Sequence, residues 1–343
     1  MRPFDYMTAD SVGEALQRFQ GAGADPAHTV RFIAGGTNLL DLMKEDVERP
    51  HRLVDINRLP LDQIEPTAEG GLRIGALARN ADTAHATAVR SGYPLLSAAL
   101  LAGASPQLRN MASNGGNLLQ RTRCYYFYDI GVPCNKREPG SGCPARHGLN
   151  RIHAVLGASE YCIAVHPSDM CVALAALDAV VEVTGPDGER RIPFKDFHRL
   201  PGDTPDIDHN LARGELITGI ELPPNRLAGH SAYLKLRDRQ SYAFALVSVA
   251  AALDVDANGH LVDVRVALGG VAHKPWRRPD LEQQLVGRPA SQESFQALAD
   301  ALMKDAIGQG GNDFKIPLAQ RAIVRALERA AGIHLTSGDL DHD

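Results

Sequence analysis

Long apolar runs are missing from this chain. No stretch approaches the ~18 to 20 consecutive hydrophobic residues of a membrane-spanning helix. Basic charge is not in excess either: 36 Lys and Arg stand against 41 Asp and Glu, so there is no electrostatic footprint for nucleic acid. Cysteine is scarce and odd in number, five in 343 residues, which excludes the disulfide framework of a small secreted domain. Aromatics make up only 5% of the chain. The start, Met1 to Phe19, has one early Arg, then acidic residues and a short amphipathic pattern in place of a signal-peptide core. The expectation is a chain without an export signal of its own, cytosolic by default, with reduced thiols. What is present, 44% hydrophobic and 22% charged residues, is ordinary for a globular protein and excludes disordered or collagen-like classes. At roughly 150 residues per domain, the length suggests two or three domains.

Ser11-Val12-Gly13-Glu14 has the spacing of a capping box and predicts a helix through Phe19. Thr29 to Ile33 reads as a strand, Ala34-Gly35-Gly36-Thr37-Asn38 as a tight turn, and Leu39 to Lys44 as a helix start. Leu53 to Ile56 reads as another strand, closing an α/β unit near residue 58. Leu72 to Leu77 is strand-like, and alanine-rich helical sequence follows from Ala81 to about Leu101. Ser113-Asn114-Gly115-Gly116-Asn117 is a second glycine turn. Beyond it a segment dense in Gly, Pro and Arg shows no sustained period and reads as a long ordered loop. Regular structure returns with a helix at Asp169 to Leu177, a strand at Val180 to Thr184 and a hairpin turn at Pro186-Asp187-Gly188. A Pro-rich boundary lies near Leu222 to Asn225. The apolar runs Phe244 to Val255 and Leu261 to Leu268 meet at a second hairpin, and a terminal helix carries Leu318, Ala322, Ile323, Ala326, Leu327 and Ala330 on one face. Ser337 to Asp343 are expected to fray.

The two glycine turns invite a ligand. Consecutive N–H groups converge there, no Cβ obstructs approach, and a following helix N-terminus adds positive potential. A lone Gly-Gly is equally a plain connection, but two such turns can grip a pyrophosphate between them. Neither fits G-x-G-x-x-G or the P-loop pattern.

The cysteines run Cys124-x9-Cys134-x8-Cys143-x18-Cys162-x8-Cys171. No C-x2-4-C knuckle of a structural zinc site occurs. Four thiolates from a long loop are compatible with a [4Fe–4S] cluster, while zinc, disulfides and simple buried thiols stay open. Cys171, in a helical stretch where a small apolar residue is expected, is the odd one out. Arg121, Arg123, Lys136, Arg137 and Arg146 would offset the charge of a thiolate-ligated cluster, and Gly131, Gly140 and Gly142 would let N–H groups reach its sulfurs. Tyr125-Tyr126-Phe127-Tyr128 is an aromatic run that either shields such a group, packs near a flavin or anchors the loop.

Six motifs in order then carry a resemblance: Phe32 to Leu39, Leu72 to Ala76, Ser113 to Asn117, His166-Pro167-Ser168-Asp169, Lys235 with Ala245 to Ala250, and Leu268 to Trp276. Together they resemble the FAD-binding medium subunit of molybdenum hydroxylases, the xanthine dehydrogenase and carbon monoxide dehydrogenase family, over nearly the whole chain. Residues 121 to 165 look like the insertion found in the FAD and [4Fe–4S] subunit of bacterial periplasmic aldehyde oxidoreductases. The resemblance implies an α+β fold: a two-lobed FAD-binding region of vanillyl-alcohol-oxidase (PCMH) type at 1–58 and 59–226, then a C-terminal α+β domain with a small antiparallel sheet at 227–334.

It also implies a site. Ile33, Ala34, Gly35, Gly36, Thr37, Asn38 and Leu39 would wrap the FAD pyrophosphate, and Ala104, Ala112, Ser113, Gly116 and Asn117 would complete the binding. Asp169 would hold the ADP ribose region, Ile217 would pack against flavin or adenine, and Lys235 would lie near the flavin carbonyls. Gln120 departs from the Thr that relatives often carry. Cys124, Cys134, Cys143 and Cys162 would ligate the [4Fe–4S] cluster. The implied activity is electron transfer inside an aldehyde oxidoreductase, with the molybdenum cofactor in a large partner subunit and two [2Fe–2S] clusters in a small one, a heterotrimer with no catalytic residue in this chain. A purine or heterocycle hydroxylase of xanthine dehydrogenase type is the alternative substrate class, and a free-standing flavin oxidase or a zinc-stabilised docking module the rival functions. Relatives are exported folded on a partner's twin-arginine signal, so a periplasmic location is implied if this chain travels likewise.

Overall fold

The structure is a computed structural model that describes residues 1–20 and 29–333. Its first layer is a three-stranded parallel sheet of β1 (Asp5–Thr8), β2 (Val30–Ile33) and β3 (Arg52–Asp55), with β3 in the centre. Helix α1 (Val12–Gln20) precedes β2 and α2 (Leu39–Lys44) follows it. Ser11 caps the helix, accepting from Glu14 N–H at 3.2 Å, and the Glu14 carboxylate reaches back one residue past the cap, to Asp10 N–H at 2.7 Å.

The second sheet has five strands in the order β4-β5-β8-β6-β7, all antiparallel: β4 (Ile64–Pro66), β5 (Leu72–Gly75), β6 (Val180–Gly185), β7 (Gly188–Pro193) and β8 (Leu216–Leu222). Between β5 and β6 come α3 (Asn80–His85), α4 (Thr87–Gly92), α5 (Pro94–Ala102), α6 (Pro106–Met111), α7 (Asn114–Leu118), α8 (Tyr125–Tyr128) and α9 (Asp169–Ala176). The single helical stretch expected from Ala81 to Leu101 is thus three short helices. Ala86 is at ψ 132°, and Tyr93, restricted by the following Pro94, is at ψ 55°. The second glycine turn is itself a short helix, α7, because Ser113 caps it by accepting from Gly116 N–H at 3.3 Å. Residues 121–165 form the long, mostly irregular segment that the absence of periodicity predicts.

The third sheet, antiparallel in the order β12-β11-β10-β9, comprises β9 (Ser231–Leu236), β10 (Val247–Val255), β11 (Leu261–Gly269) and β12 (Trp276–Arg277). Strand β10 is buried on both faces, and its alternation sorts residues by size. Ala250 and Ala252 face the core shared with α5 and α9, while Val247, Val249 and Leu253 face the core shared with the C-terminal helices. Those helices are α10 (Pro279–Glu282), α11 (Gln292–Met303) and α12 (Lys315–Ala330). Small side chains on one face let the third sheet sit closely on the second lobe, and larger ones anchor α11 and α12. The expected fraying of Ser337 to Asp343 lies outside the described residues. Among the described residues, no helix is long and apolar enough to cross a membrane.

Candidate functional site

The first glycine turn opens onto a cavity of about 480 Å³. Ile33 through Leu39 all line it, joined by Ser113, Gly116, Leu119, Glu48, Arg121 and the segment Asp206–His209 and Leu211–Glu215. Two glycines make this possible for different reasons. Gly36 adopts φ +71°, the left-handed region where a side chain is strained. At Gly35 the constraint is space, since a Cβ would fall 1.8 Å from the Met111 carbonyl oxygen at the end of α6. The two glycine-bearing regions therefore approach backbone to backbone. Asn38 supplies a donor to the cavity: its Oδ1 accepts from Arg121 N–H at 2.9 Å, whereas its buried Nδ2 has no partner. An unsatisfied amide beside a left-handed glycine and a helix N-terminus suits a phosphate or carbonyl oxygen, so the residues present fit the pyrophosphate of a dinucleotide.

Asn117 lines neither this cavity nor the next but ties them together. Its Oδ1 accepts from Ser168 Oγ and from Gln120 Nε2, each at 2.6 Å, and its Nδ2 donates to Asn80 Oδ1 at 2.7 Å. Ser168 and Asp169 belong to a second cavity of about 380 Å³, lined also by Arg123, Cys124, Tyr125, His153, His166, Arg239, Phe244 and Gly270. Lys235, from β9, donates to Asp169 Oδ2 at 2.8 Å and to the Ala102 carbonyl at 3.0 Å, and Tyr233 donates to Asp169 Oδ1 at 2.6 Å. The Lys235–Asp169 pair is almost fully buried. Ala104 follows α5 with φ +53°, Ala112 accepts from Asn80 N–H at 2.9 Å, and Ile217 is buried in the core of the second sheet. None of these three is among the residues lining either cavity.

The structure brings Cys124, Cys134, Cys143 and Cys162 together around one narrow pocket walled by Tyr126, Phe127, Ala145 and Ala164. Burial pushes the Cys124 thiol up to about 12 and the Cys162 thiol to about 11, the latter against the pull of Lys136, and raises Cys143. Backbone N–H groups face the sulfurs: Tyr126 and Phe127 at Cys124, Ala145, Arg146 and Ile163 at Cys143, and Ala164 at Cys162. Sulfurs around one tetrahedral zinc stand ~3.8 Å apart, given Zn–S bonds of about 2.3 Å. Among the described residues, the one His, Cys, Asp and Glu group with ligand atoms within 4.8 Å is a different one, His166, Cys171 and His198. There, His166 Nδ1 accepts from Ser168 N–H at 3.4 Å, which leaves the proton on Nε2, and Cys171 packs in the α9 core. That tautomer does not ligate.

The cations expected around the thiols are mostly committed elsewhere. Arg121 pairs with Glu48 and Asp208, each at 2.9 Å, and lies over the Phe127 ring. Lys136 pairs with Asp208 and donates to the Pro205 carbonyl. Burial alone would raise the Asp208 carboxyl, but Lys136 and Arg121 outweigh it and hold the group well below the usual carboxylate range. Arg137 donates to the carbonyls of Tyr126, Phe127 and Val132, Arg146 to that of Glu160, and Arg123 to the Tyr128 hydroxyl. Gly131 and Gly142 give their N–H groups to Asp129 and Asn135, not to sulfur. The aromatic run divides: Phe127 is core, Tyr126 accepts from Leu149 N–H, and Tyr125 lines the second cavity. Sequence reasoning missed the cavity wall at 206–215, which carries no local motif.

All three cavities are strung along one segment. Leu119 and Arg121 line the first, Thr122 through Tyr125 the second, and Thr122 and Cys124 also the thiol pocket. Such a seven-residue stretch spans at most about 25 Å.

Comparison with known proteins agrees with this geometry. The family described as the FAD binding domain in molybdopterin dehydrogenase matches residues 2–225, and the CO dehydrogenase flavoprotein C-terminal domain matches residues 231–330. The chain is 53% identical to the aldehyde oxidoreductase FAD-binding subunit PaoB of Escherichia coli K12, over 96% of this chain and 99% of that one. It is 29% identical to the glyceraldehyde dehydrogenase medium chain of Sulfolobus acidocaldarius, over 93% and 90%. Among solved structures, carbon monoxide dehydrogenase from Hydrogenophaga pseudoflava superposes with a TM-score of 0.74 at 26% identity, covering 96% of this chain and 98% of that one. With both domain types matched in order and the glycine-built cavity in place, the chain belongs to the FAD-binding medium-subunit family of the molybdenum hydroxylases.

Proposed function

We propose that this chain is the electron-transfer flavoprotein of a molybdenum-containing aldehyde oxidoreductase and carries a [4Fe–4S] cluster besides FAD. The observation that carries the substrate class is the end-to-end likeness to PaoB, reinforced by a second relative that is also an aldehyde dehydrogenase subunit. Oxidation of the aldehyde belongs to a molybdenum cofactor in a large partner, and two [2Fe–2S] clusters in a small partner connect it to this subunit in a heterotrimer. Bound FAD supplies the exchange of electrons with an external acceptor. The location follows the partners, periplasmic if the complex is exported on a partner's signal.

The chain's own residues bind and orient. The Ile33–Leu39 turn and Asn38 Nδ2 hold phosphate oxygens, Ser113 and Gly116 form the opposing wall with Ala112 next to it in the chain, and Asn117 fixes Ser168 at the junction with the second cavity. Ala104 and Ile217 shape the surroundings. Asp169 is held by Tyr233 and Lys235, and that buried cation, close to the Ala102 carbonyl, stabilises negative charge nearby. The division into 1–58, 59–226 and 227–334 matches these roles: two lobes hold the dinucleotide, and the third domain contributes Tyr233 and Lys235. For the cluster, support comes from four thiols round one pocket, with backbone donors aimed at sulfur and no mononuclear spacing.

Metal analysis and the visible spectrum of the purified complex test this. About four iron and four sulfide beyond those of the partners, with bleachable flavin bands, are expected. Cys143→Ser should abolish that iron and Cys171→Ala should retain it. Zinc in place of iron, or the reverse pattern in the two variants, refutes the assignment.

A further inference from the structure

One side chain touches both the thiol pocket and the second cavity and has no place in the scheme so far. His153 Nε2 lies 3.1 Å from Cys124 Sγ. The ring is buried, flanked by Tyr125 and Tyr126 with centroids 6.4 Å away, and its Nδ1 has no partner. A neutral imidazole has one N–H, and a thiolate bound to a cluster can only accept, so with that sulfur 3.1 Å from Nε2 the hydrogen belongs on Nε2. The backbone holds the ring in place: His153 N–H donates to Asn150, and the His153 carbonyl accepts from Lys315 Nζ at 2.8 Å and Asn312 Nδ2 at 3.2 Å. At Cys143 and Cys162 the donors to sulfur are backbone groups, which no substitution of side chain removes. Cys124 differs in having an imidazole, and Cys124 and His153, with Thr122, are the residues common to the two cavities.

We infer that His153 is a positioning residue that sets the reduction potential of the cluster by donating its Nε2–H to the Cys124 sulfur, on the side that faces the second cavity. The inference rests on the cluster reading above. A cluster that accepts one electron gains one negative charge, shared with its thiolates. An N–H dipole aimed at a ligand sulfur stabilises that charge, so the potential lies higher with the hydrogen bond than without it.

The test is an EPR-monitored redox titration of the intact complex carrying His153→Leu or His153→Gln. Leu removes the N–H at similar volume, whereas Gln places an amide N–H near the same point. In His153→Leu the reduced-to-oxidised ratio of the cluster at a fixed potential should fall about tenfold, which is ~59 mV for a one-electron couple. His153→Gln should restore it to within about twofold, and the flavin potential should move in neither variant. Iron analysis of the wild type comes first. No iron on this subunit there refutes the cluster reading itself, while iron present and an unmoved potential in His153→Leu overturns the role of His153 alone. Should the Leu variant lose its iron, pulsed EPR of the wild-type reduced cluster with heavy-nitrogen-labelled histidine decides: a histidine nitrogen coupling is expected, and its absence overturns the inference.

Discussion

Replacing Gly35 by Ala adds one methyl group at the tightest point of the first cavity. The new Cβ would meet Met111 O at 1.8 Å, Met111 C at 2.7 Å and Ala112 N at 3.3 Å. Ordinary carbon contacts lie at ~3.5 to 4.0 Å, so the turn and the end of α6 must part by about 2 Å. The opposing backbone is not free to yield. Met111 O accepts from the Arg79 guanidinium at 2.6 Å, Ala112 N–H donates to Leu108 O at 2.8 Å, and Ala112 O accepts from Asn80 N–H at 2.9 Å. Overpacking of this kind costs typically about 1 to 3 kcal/mol. Because the strain falls on the approach of the two walls that grip the dinucleotide, it should appear as roughly 5- to 150-fold weaker FAD binding. The assay is removal of flavin and fluorescence-monitored reconstitution. Gly13→Ala, in α1 with nothing within 4 Å of a new Cβ, is the control and should bind FAD as the wild type does. If Gly35→Ala binds FAD within twofold of wild type and melts at the same temperature, the close approach is not what shapes the site.

Arg121→Met removes the guanidinium from Glu48 and Asp208, which keep Arg31 and Lys136 as partners. The cost in denaturant unfolding should therefore be about 3 kcal/mol, the low end for breaking a buried pair. As the Asp208 carboxyl is held below its unfolded value, the difference from wild type should be full above pH ~4 and shrink as pH falls further; a difference that grows on acidification refutes the network. Lys315 gives the same direction in a higher pH window, as a buried amine that costs stability instead of a carboxylate that adds it. Burial holds its amine down to about 7, so the unfolded chain binds the extra proton between there and ~10.4, and stability should rise with pH across that window by on the order of 4 kcal/mol. Lys315→Met should flatten this rise in thermal unfolding scans, and an unchanged slope would show that the amine is charged in the fold.

Local rules were legible in the residues. The Ser11–Glu14 cap, the helix at Leu39–Lys44 and the hairpin at Asp256–Gly259 all depend on side chains within a few positions of the backbone they satisfy. So did the first glycine turn, because the left-handed Gly36 is a local need. The partner of Gly35 was not legible: Met111 lies 76 residues on and carries no signal. The far wall of the cavity at 206–215 is polar loop sequence held by distant charges, and its place follows only from Asp208 meeting Arg121 and Lys136. The cations were misjudged for the same reason. Their number near the thiols was visible, but their carboxylate and carbonyl partners come from other elements.

The spacing of the four cysteines illustrates why a ligand set can be visible when its geometry is not. Residues 121–165 contain little helix and no strand, so side chains must satisfy the backbone groups that a sheet would pair. Asn135 does so at a telling place. Its Oδ1 accepts from Gly142 N–H at 2.7 Å, its Nδ2 donates to Tyr161 O at 2.9 Å, and its own N–H donates to Gly142 O at 2.8 Å. Asn135 follows Cys134, Gly142 precedes Cys143 and Tyr161 precedes Cys162. One buried amide therefore links the neighbours of three thiols, and intervals of eight and eighteen residues become a fixed arrangement in space. Cys124 stands outside that clamp, at the start of α8, and its sulfur is met by His153. Three thiols are held through a common cross-link and the fourth through its own imidazole, so no short sequence interval was ever required.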